Sequence, residues 1–365
     1  MYATDRPGGH HLRAAAIVAL GHGTVILGGK MKKILTIGLA LFTLASLGSL
    51  SIRDARAEAV MKLASATIND VQHEWQKVFA ENLAKSVGDK VKVEIYPASQ
   101  LGTIPRMAEG VLLGVIESFI TPTAFLSGTD PRFQIYDAPG IFDSPEHLAR
   151  VIHDPVYRDH LETLALDKGI RVIGAIFNSP MLLLSKEPVQ KLDDLKGMKI
   201  RTFASPLQID PLKDLGASPL PLALSEVVPA LQSGNIDGML AGMPILTAFK
   251  YYDVATNVTN LQSQQIVSVN VVNEAWFQAQ PTDVQEAIRA AGRAAEQAVL
   301  PWGIANVERS NKVWVENGGK IIELSDEDRK HMMTRFAEVG GAVLRANEAV
   351  AAEYELLLKT VEQQR

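Results

Sequence analysis

"VMKLASATINDVQHEWQKVFAENLAKSVGDKVKVEIYPA", residues 60–98, decides the fold class. Its first part, "VMKLASATI", predicts a strand, and "DVQHEWQKVFAENLAKSVG" spaces its apolar residues as an amphipathic helix that Gly88 ends. "KVKVEIYPA" then alternates with a period of two, as a half-buried strand does. Beyond it, "TIPRMAEGVLLGV" (103–115) predicts a helix and "IESFITPT" (116–123) another strand. Strand, helix, strand, helix, strand is the order of a parallel sheet with crossover helices. Ligands of such sheets sit beyond the carboxyl ends of the strands. That places Ser65–Thr67, centred on Ala66, and Thr121–Thr123 at the mouth of a site.

The pattern restarts in the second half. "GIRVIGAIF" (169–177), "MLLLSK" (181–186) and "MKIRTF" (198–203) read as strands, and "PLQIDPLKDLG" (206–216) as a helix broken by prolines. "ASPLPLA" (217–223) is extended, "SEVVPALQSG" (225–234) reads as a helix capped by Ser225 and ended by Gly234, and "NIDGMLAG" (235–242) as a short strand. Two α/β units in sequence imply two lobes and a cleft between them. After "QQIVSVNVVNEAWF" (264–277) the chain turns to long helices. Thr282 and Gln285 predict a capping box, and the helical pattern continues to Glu316, with Pro301 kinking it or dividing it in two. A second capping box at Ser325–Asp328 opens a helical pattern that runs on to the carboxyl terminus.

The bulk numbers bound the function. With 365 residues, 47% hydrophobic and 21% charged, the chain is a well-cored globular protein of one large or two ordinary domains. A formal net charge of −5, with no dense basic cluster interleaved with aromatics, argues against nucleic acid as a partner. Cysteine is absent, which removes disulfides, thiolate metal sites, cysteine nucleophiles and the lipidated cysteine of a lipoprotein.

From Met31 the sequence has the parts of a secretory signal peptide: Lys32 and Lys33, the apolar stretch Ile34–Leu50, and Ala55-Arg56-Ala57 as an A-x-A cleavage site. Residues 31–57 are therefore expected to be removed on export to the periplasm, and residues 1–30 to reflect a start codon placed too far upstream. "GHGTVILGGK" (21–30) in that extension resembles a phosphate loop but has Thr24 where the first glycine belongs and Met31 after Lys30.

Catalytic groups do not assemble in the sequence. His153 and His160 in "VIHDPVYRDH" (151–160) lack metal-ligand spacing and read as exposed. No G-x-S-x-G elbow is present. Asp193-Asp194 reads as a solvated face or helix cap, and Asp326, Glu327 and Asp328 suit the first turn of a helix. Neither enzyme, cofactor nor metal is expected.

One residue stands out. Arg201, in "DLKGMKIRTFASP" (194–206), lies in an apolar strand with no acid beside it. It is either a solvated edge charge or a group that awaits an anion from outside the chain. "DLKGMKIR" (194–201) and "LGASPLPLALSEVVPALQSGNIDGM" (215–239) resemble the second-lobe core of the DctP-like family, the solute-binding proteins of tripartite ATP-independent periplasmic (TRAP) transporters. "VKVEIYPASQLG" (91–102), "IYDAPGIFDSPEHLARV" (135–151) and "VVNEAWFQAQPTDVQEAI" (271–288) are similar to three further segments of that family, in the same order.

The resemblance implies an α/β, two-lobed periplasmic-binding-protein fold (type II-like) with a long helix spanning both lobes. It divides the mature chain into lobe I (58–178 and 265–306) and lobe II (179–264 and 307–365). It implies capture of a small organic acid, delivery to the TRAP membrane permease subunits, and Arg201 as the carboxylate clamp. Three positions depart from what many acidic-sugar and dicarboxylate members carry. Met181 replaces a second arginine, Ala241 follows Leu240 where an asparagine is frequent, and Leu224 replaces an aromatic. The expected ligand has one dominant carboxylate and an apolar or weakly polar body, unless Thr121, Thr123 or Asn178 restores the polar contacts. A monomer is expected. An ABC-type solute receptor shares the two-lobed plan without this course of motifs. A ligand sensor would share the capture step, and an exported enzyme would need a catalytic group that the sequence does not show.

Overall fold

Asp70 starts the first helix by accepting the His73 N–H at 3.1 Å, and Gly88 ends it at φ 57°. This helix, α1 (Val71–Val87), follows β1 (Ala59–Ser65) and precedes β2 (Val91–Tyr96). Val71, Trp75, Phe79, Leu83 and Val87, four residues apart, form its buried face, and the Trp75 and Phe79 rings stack 4.9 Å apart. Each such side chain contributes roughly 1.5–3 kcal/mol of burial.

The computed structural model describes residues 59–365; the signal-peptide and upstream-extension readings of residues 1–57 lie outside them. In chain order follow α2 (Ile104–Leu112), β3 (Ser118–Pro122), α3 (Pro145–Ile152), α4 (Pro155–Thr163), β4 (Ile170–Pro180), β5 (Leu182–Ser185), β6 (Lys199–Thr202), α5 (Pro206–Asp214) and β7 (Ser218–Pro221). Then come α6 (Leu224–Ser233), β8 (Gly238–Ala241), α7 (Met243–Ala248), β9 (Asn257–Asn260), β10 (Gln265–Asn273) and α8 (Glu274–Gln278). The chain finishes with α9 (Thr282–Glu316), β11 (Lys320–Glu323), α10 (Asp326–Arg345) and α11 (Glu348–Gln363).

Two sheets result, in the orders β2-β1-β3-β10-β4 and β11-β9-β5-β8-β6-β7. The expected parallel pairing holds for β1 with β2 and β3, but β10 runs antiparallel to both β3 and β4. The reason is topological: the chain passes directly from β4 to β5 and returns directly from β9 to β10, with no crossover helix in either passage. These two passages lie side by side, and Met181 N donates to Gln264 O at 3.0 Å.

Helix α9 is continuous for 35 residues through Pro301. Its first half packs on β4 and α1, with Val284, Ile288, Ala295 and Val299 buried; at its other end Trp314 is buried with Leu246, Tyr251 and Val258 of the second sheet's layer. The close approach depends on Gly292, where a Cβ would stand 2.0 Å from Ile173 O. Buried Glu296 on the same helix accepts from Ala175 N at 2.7 Å and from Arg158 Nε at 3.0 Å. It thereby satisfies the free edge of β4.

Several local expectations are corrected. The helical pattern from Asp326 breaks at Ala346, and Asn347 caps α11 by accepting from Ala349 N at 2.9 Å. No capping box forms at Thr282, whose helix starts after Pro281, and Ser225 lies inside α6 rather than at its cap. His153 and His160 are only half-buried and both are bonded, to Ala175 O at 3.0 Å and to Glu353 at 2.9 Å. The terminal helix, grouped with lobe II in the sequence reading, packs instead on α3 and Pro131–Asp137 beside the first sheet, while α10 packs on α5. No helix among the described residues is long and apolar enough to cross a membrane.

Candidate functional site

The carboxyl ends of β1, β3, β4, β6 and β8 converge on one cavity. Arg201 enters it from β6. Strand β6 lies between β7 and β8, so the residue is 1% exposed and its guanidinium has left bulk water. Arg201 Nε donates to Leu222 O at 3.0 Å and Nη1 to Leu240 O at 3.2 Å. Both acceptors are neutral carbonyls, and among the described residues no carboxylate pairs with it. Phe203 and Phe125 stack 4.7 Å apart beside it, with the guanidinium carbon 5.0 and 5.7 Å from their ring centres. Burial without a counter-charge pushes the guanidinium pKa down to about 10, so it stays charged at neutral pH.

The opposite wall comes from the first sheet. Gln72 Nε2 donates to Thr67 Oγ1 at 3.0 Å, and Thr67 Oγ1 donates to Asp70 Oδ2 at 2.7 Å. Burial pushes the Asp70 carboxyl up from its ordinary range, against hydrogen bonds from Thr67 and His73 that hold it down. Asn178, at the end of β4, donates from Nδ2 to Ser268 Oγ at 2.9 Å. Thr121 Oγ1 is buried and has no partner.

Of the positions singled out in the sequence, Ala66, Thr121, Asn178, Arg201, Leu224 and Ala241 line the cavity. Met181 and Thr123 do not. Met181 sits in the β4–β5 passage and is buried in the second sheet's core with Leu183 and Ile200. Thr123 opens the short 3-10 turn Thr123–Leu126, whose Phe125 takes the wall position instead. Phe125, Phe203, Gln72, Ile104, Ile245 and Ile266 also line the cavity and were not singled out. Phe203 carried a usable signal, since residues two apart on a strand share a face with Arg201. No group of acidic residues and histidines among the described residues is placed to hold a metal ion.

Comparison with known proteins gives the family. The chain is 27% identical over 303 residues to the 2,3-diketo-L-gulonate-binding periplasmic protein YiaO of Escherichia coli, covering 80% of this chain and 86% of that one. It is 25% identical over 276 residues to the sialic acid-binding periplasmic protein SiaP of Vibrio cholerae, covering 74% and 84%. Its fold matches that of a TRAP periplasmic solute-binding protein from Anaerococcus prevotii with bound D-glucuronate, at a TM-score of 0.78 and 22% identity over 84% of this chain and 99% of that one. The description "bacterial extracellular solute-binding protein, family 7" (DctP) matches residues 64–344, and the chain belongs to that family.

Proposed function

We propose that the protein is the periplasmic solute-binding subunit of a TRAP transporter, capturing a small organic acid on Arg201 and delivering it to the membrane permease subunits. The observation that carries this reading is a fully buried arginine that faces a cavity with no acid of its own. A guanidinium presents a planar fork of donors that matches both oxygens of a carboxylate, and a desolvated pair of this kind is strong. The names of the relatives and of the solved structure above refer to acids. Lobe I in this account is 59–178 with 265–306 and α11, and lobe II is 179–264 with β11 and α10.

Capture follows from the geometry. Arg201, Leu224 and Ala241 belong to one sheet's layer and Ala66, Thr67 and Thr121 to the other, so a ligand in the cavity touches both and favours their closed arrangement. The two strand passages at Met181 and Gln264, together with α9, are where the layers turn on each other.

A thermal-shift screen of organic acids on the mature protein tests the proposal. An acid at about a hundred times its dissociation constant raises stability by about 2.7 kcal/mol. The same acid is expected to give no shift with Arg201→Ala, and an equal shift would remove Arg201 from the binding role. Export with cleavage after Ala57 and no lipid anchor belongs to the same proposal. Amino-terminal sequencing of the exported protein is expected to begin at Glu58, and a mature form retaining residues before Met31 would overturn it.

A further inference from the structure

We infer that the cavity selects a monocarboxylate with an apolar aryl or branched alkyl body, and discriminates against sugar acids and dicarboxylates. This rests on the carboxylate-capture reading and adds the ligand class to it.

Among the described residues, Arg201 is the one charged residue that lines the cavity. A second carboxylate on the ligand would be buried without a cation. It would also meet a wall backed by an acid, because Thr67 and Gln72 are both bonded to Asp70, at 2.7 and 3.2 Å. Unpaired buried charge is among the costliest arrangements a site can contain.

Four uncharged polar side chains line the cavity: Thr67, Gln72, Thr121 and Asn178. Two of them have their donors committed within the protein, Thr67 to Asp70 and Gln72 to Thr67 and Asp70, while Asn178 spends one of its two amide N–H groups on Ser268. Thr121 Oγ1 is buried without a partner. With the second Asn178 N–H it suits one or two oxo or hydroxyl substituents, not the row of hydroxyls on a hexuronate. Each ligand hydroxyl buried without a partner weakens binding roughly tenfold.

The remaining wall supplies the positive preference. Ile104, Phe125, Phe203, Leu224, Ile245 and Ile266 enclose the space around the guanidinium. The Phe125 and Phe203 rings, tilted 32° to one another, offer an aromatic or branched aliphatic group a contact that a polyol does not repay.

Calorimetric titration of the mature protein with four probes tests the inference: 4-methyl-2-oxopentanoate, mandelate, D-galacturonate and succinate, each repeated on Arg201→Met. At least one of the first two is expected to bind about a hundredfold more tightly than either of the last two, given two or more unmet polar groups on the latter. Tighter binding of galacturonate or succinate, abolished by Arg201→Met, would overturn the ligand class and leave carboxylate capture standing. Binding of any probe that survives Arg201→Met would count against the capture reading itself. Absence of binding by both apolar acids would overturn the class. A Thr121→Val variant provides the internal control: it is expected to weaken 4-methyl-2-oxopentanoate about tenfold relative to 4-methylpentanoate, which lacks the oxo group.

Discussion

Replacing Arg201 by methionine should stabilise the empty protein while removing its response to ligand. Folding takes the Arg201 pKa down to about 10, more than two units below its ordinary value, and burial is the cause. At about 1.4 kcal/mol per unit, carrying the charge into the fold costs about 3 kcal/mol. The sign is that of a base with a depressed folded pKa. The cost is fully present below about pH 10 and disappears as pH rises towards the higher unfolded value. Methionine removes that cost and fills much of the same volume. It also strips Leu222 O and Leu240 O of their donors, at about 1 kcal/mol each. The balance is a gain of about 1 kcal/mol, or roughly 2 °C in midpoint for a chain of this length. Urea denaturation of the ligand-free proteins at pH 7 reads the first effect, and thermal shift with a bound acid reads the second. A ligand-free variant destabilised by about 2 kcal/mol or more would refute the reasoning, because Arg201 would then be a structural strut whose needs the chain already meets.

Three further outcomes follow from buried groups elsewhere. Asp137 accepts from Gln208 and Gln264 through Oδ1 at 3.2 and 3.1 Å, and burial raises its pKa from 3.8 to about 6 against hydrogen bonding from Ser205 and Gln208 that holds it down. The folded state therefore binds the extra proton between those values, and stability falls as pH rises from about 4 to about 6; Asp137→Asn should abolish that slope and add up to about 3 kcal/mol at pH 8 in urea titrations. At Gly242 a Cβ would stand 1.8 Å from Ser179 Oγ, so Gly242→Ala should cost about 1–3 kcal/mol and Ser179→Gly should restore most of the melting temperature. Glu296→Ala strands the Arg158 guanidinium, now paired at 2.9 Å, and the Ala175 N–H, and should cost about 3–5 kcal/mol by chemical denaturation.

Much of the fold was legible because the residues from Val60 to Thr123 express their periods cleanly: a run, an amphipathic stripe, an alternation and a clear stop at Gly88. Strand direction was not legible. The period of β10 is the same whether it runs parallel or antiparallel, and only the direct passage from β9 sets its sense. Pro301 left open a break that did not occur; it is exposed, and the buried Val299 and Gly303 on either side hold α9 through it. Conversely, Ala346 and Asn347 interrupt a region whose pattern reads as one helix.

The site divided in the same way. Arg201 could be singled out by its apolar strand, and Ala66 and Thr121 by the carboxyl-end rule for α/β sheets. Phe125 and Ile245 could not, because each follows a strand in a short helical segment whose facing is set by packing across the two sheets. Met181 was placed in the site by resemblance alone. Its backbone bond to Gln264 and its burial with Leu183 give it a role in the passage between the sheets.

Calorimetric comparison of one binding acid with its own methyl ester tests the central claim most directly. The ester keeps the body and the carbonyl, loses the negative charge that Arg201 is built to meet, and adds one methyl group. Loss of one partner of a desolvated, hydrogen-bonded ion pair costs about 2–5 kcal/mol. The predicted result is that the ester binds at least about thirtyfold more weakly to the wild type, and that neither acid nor ester binds Arg201→Met. Equal affinity of acid and ester for the wild-type protein would contradict it.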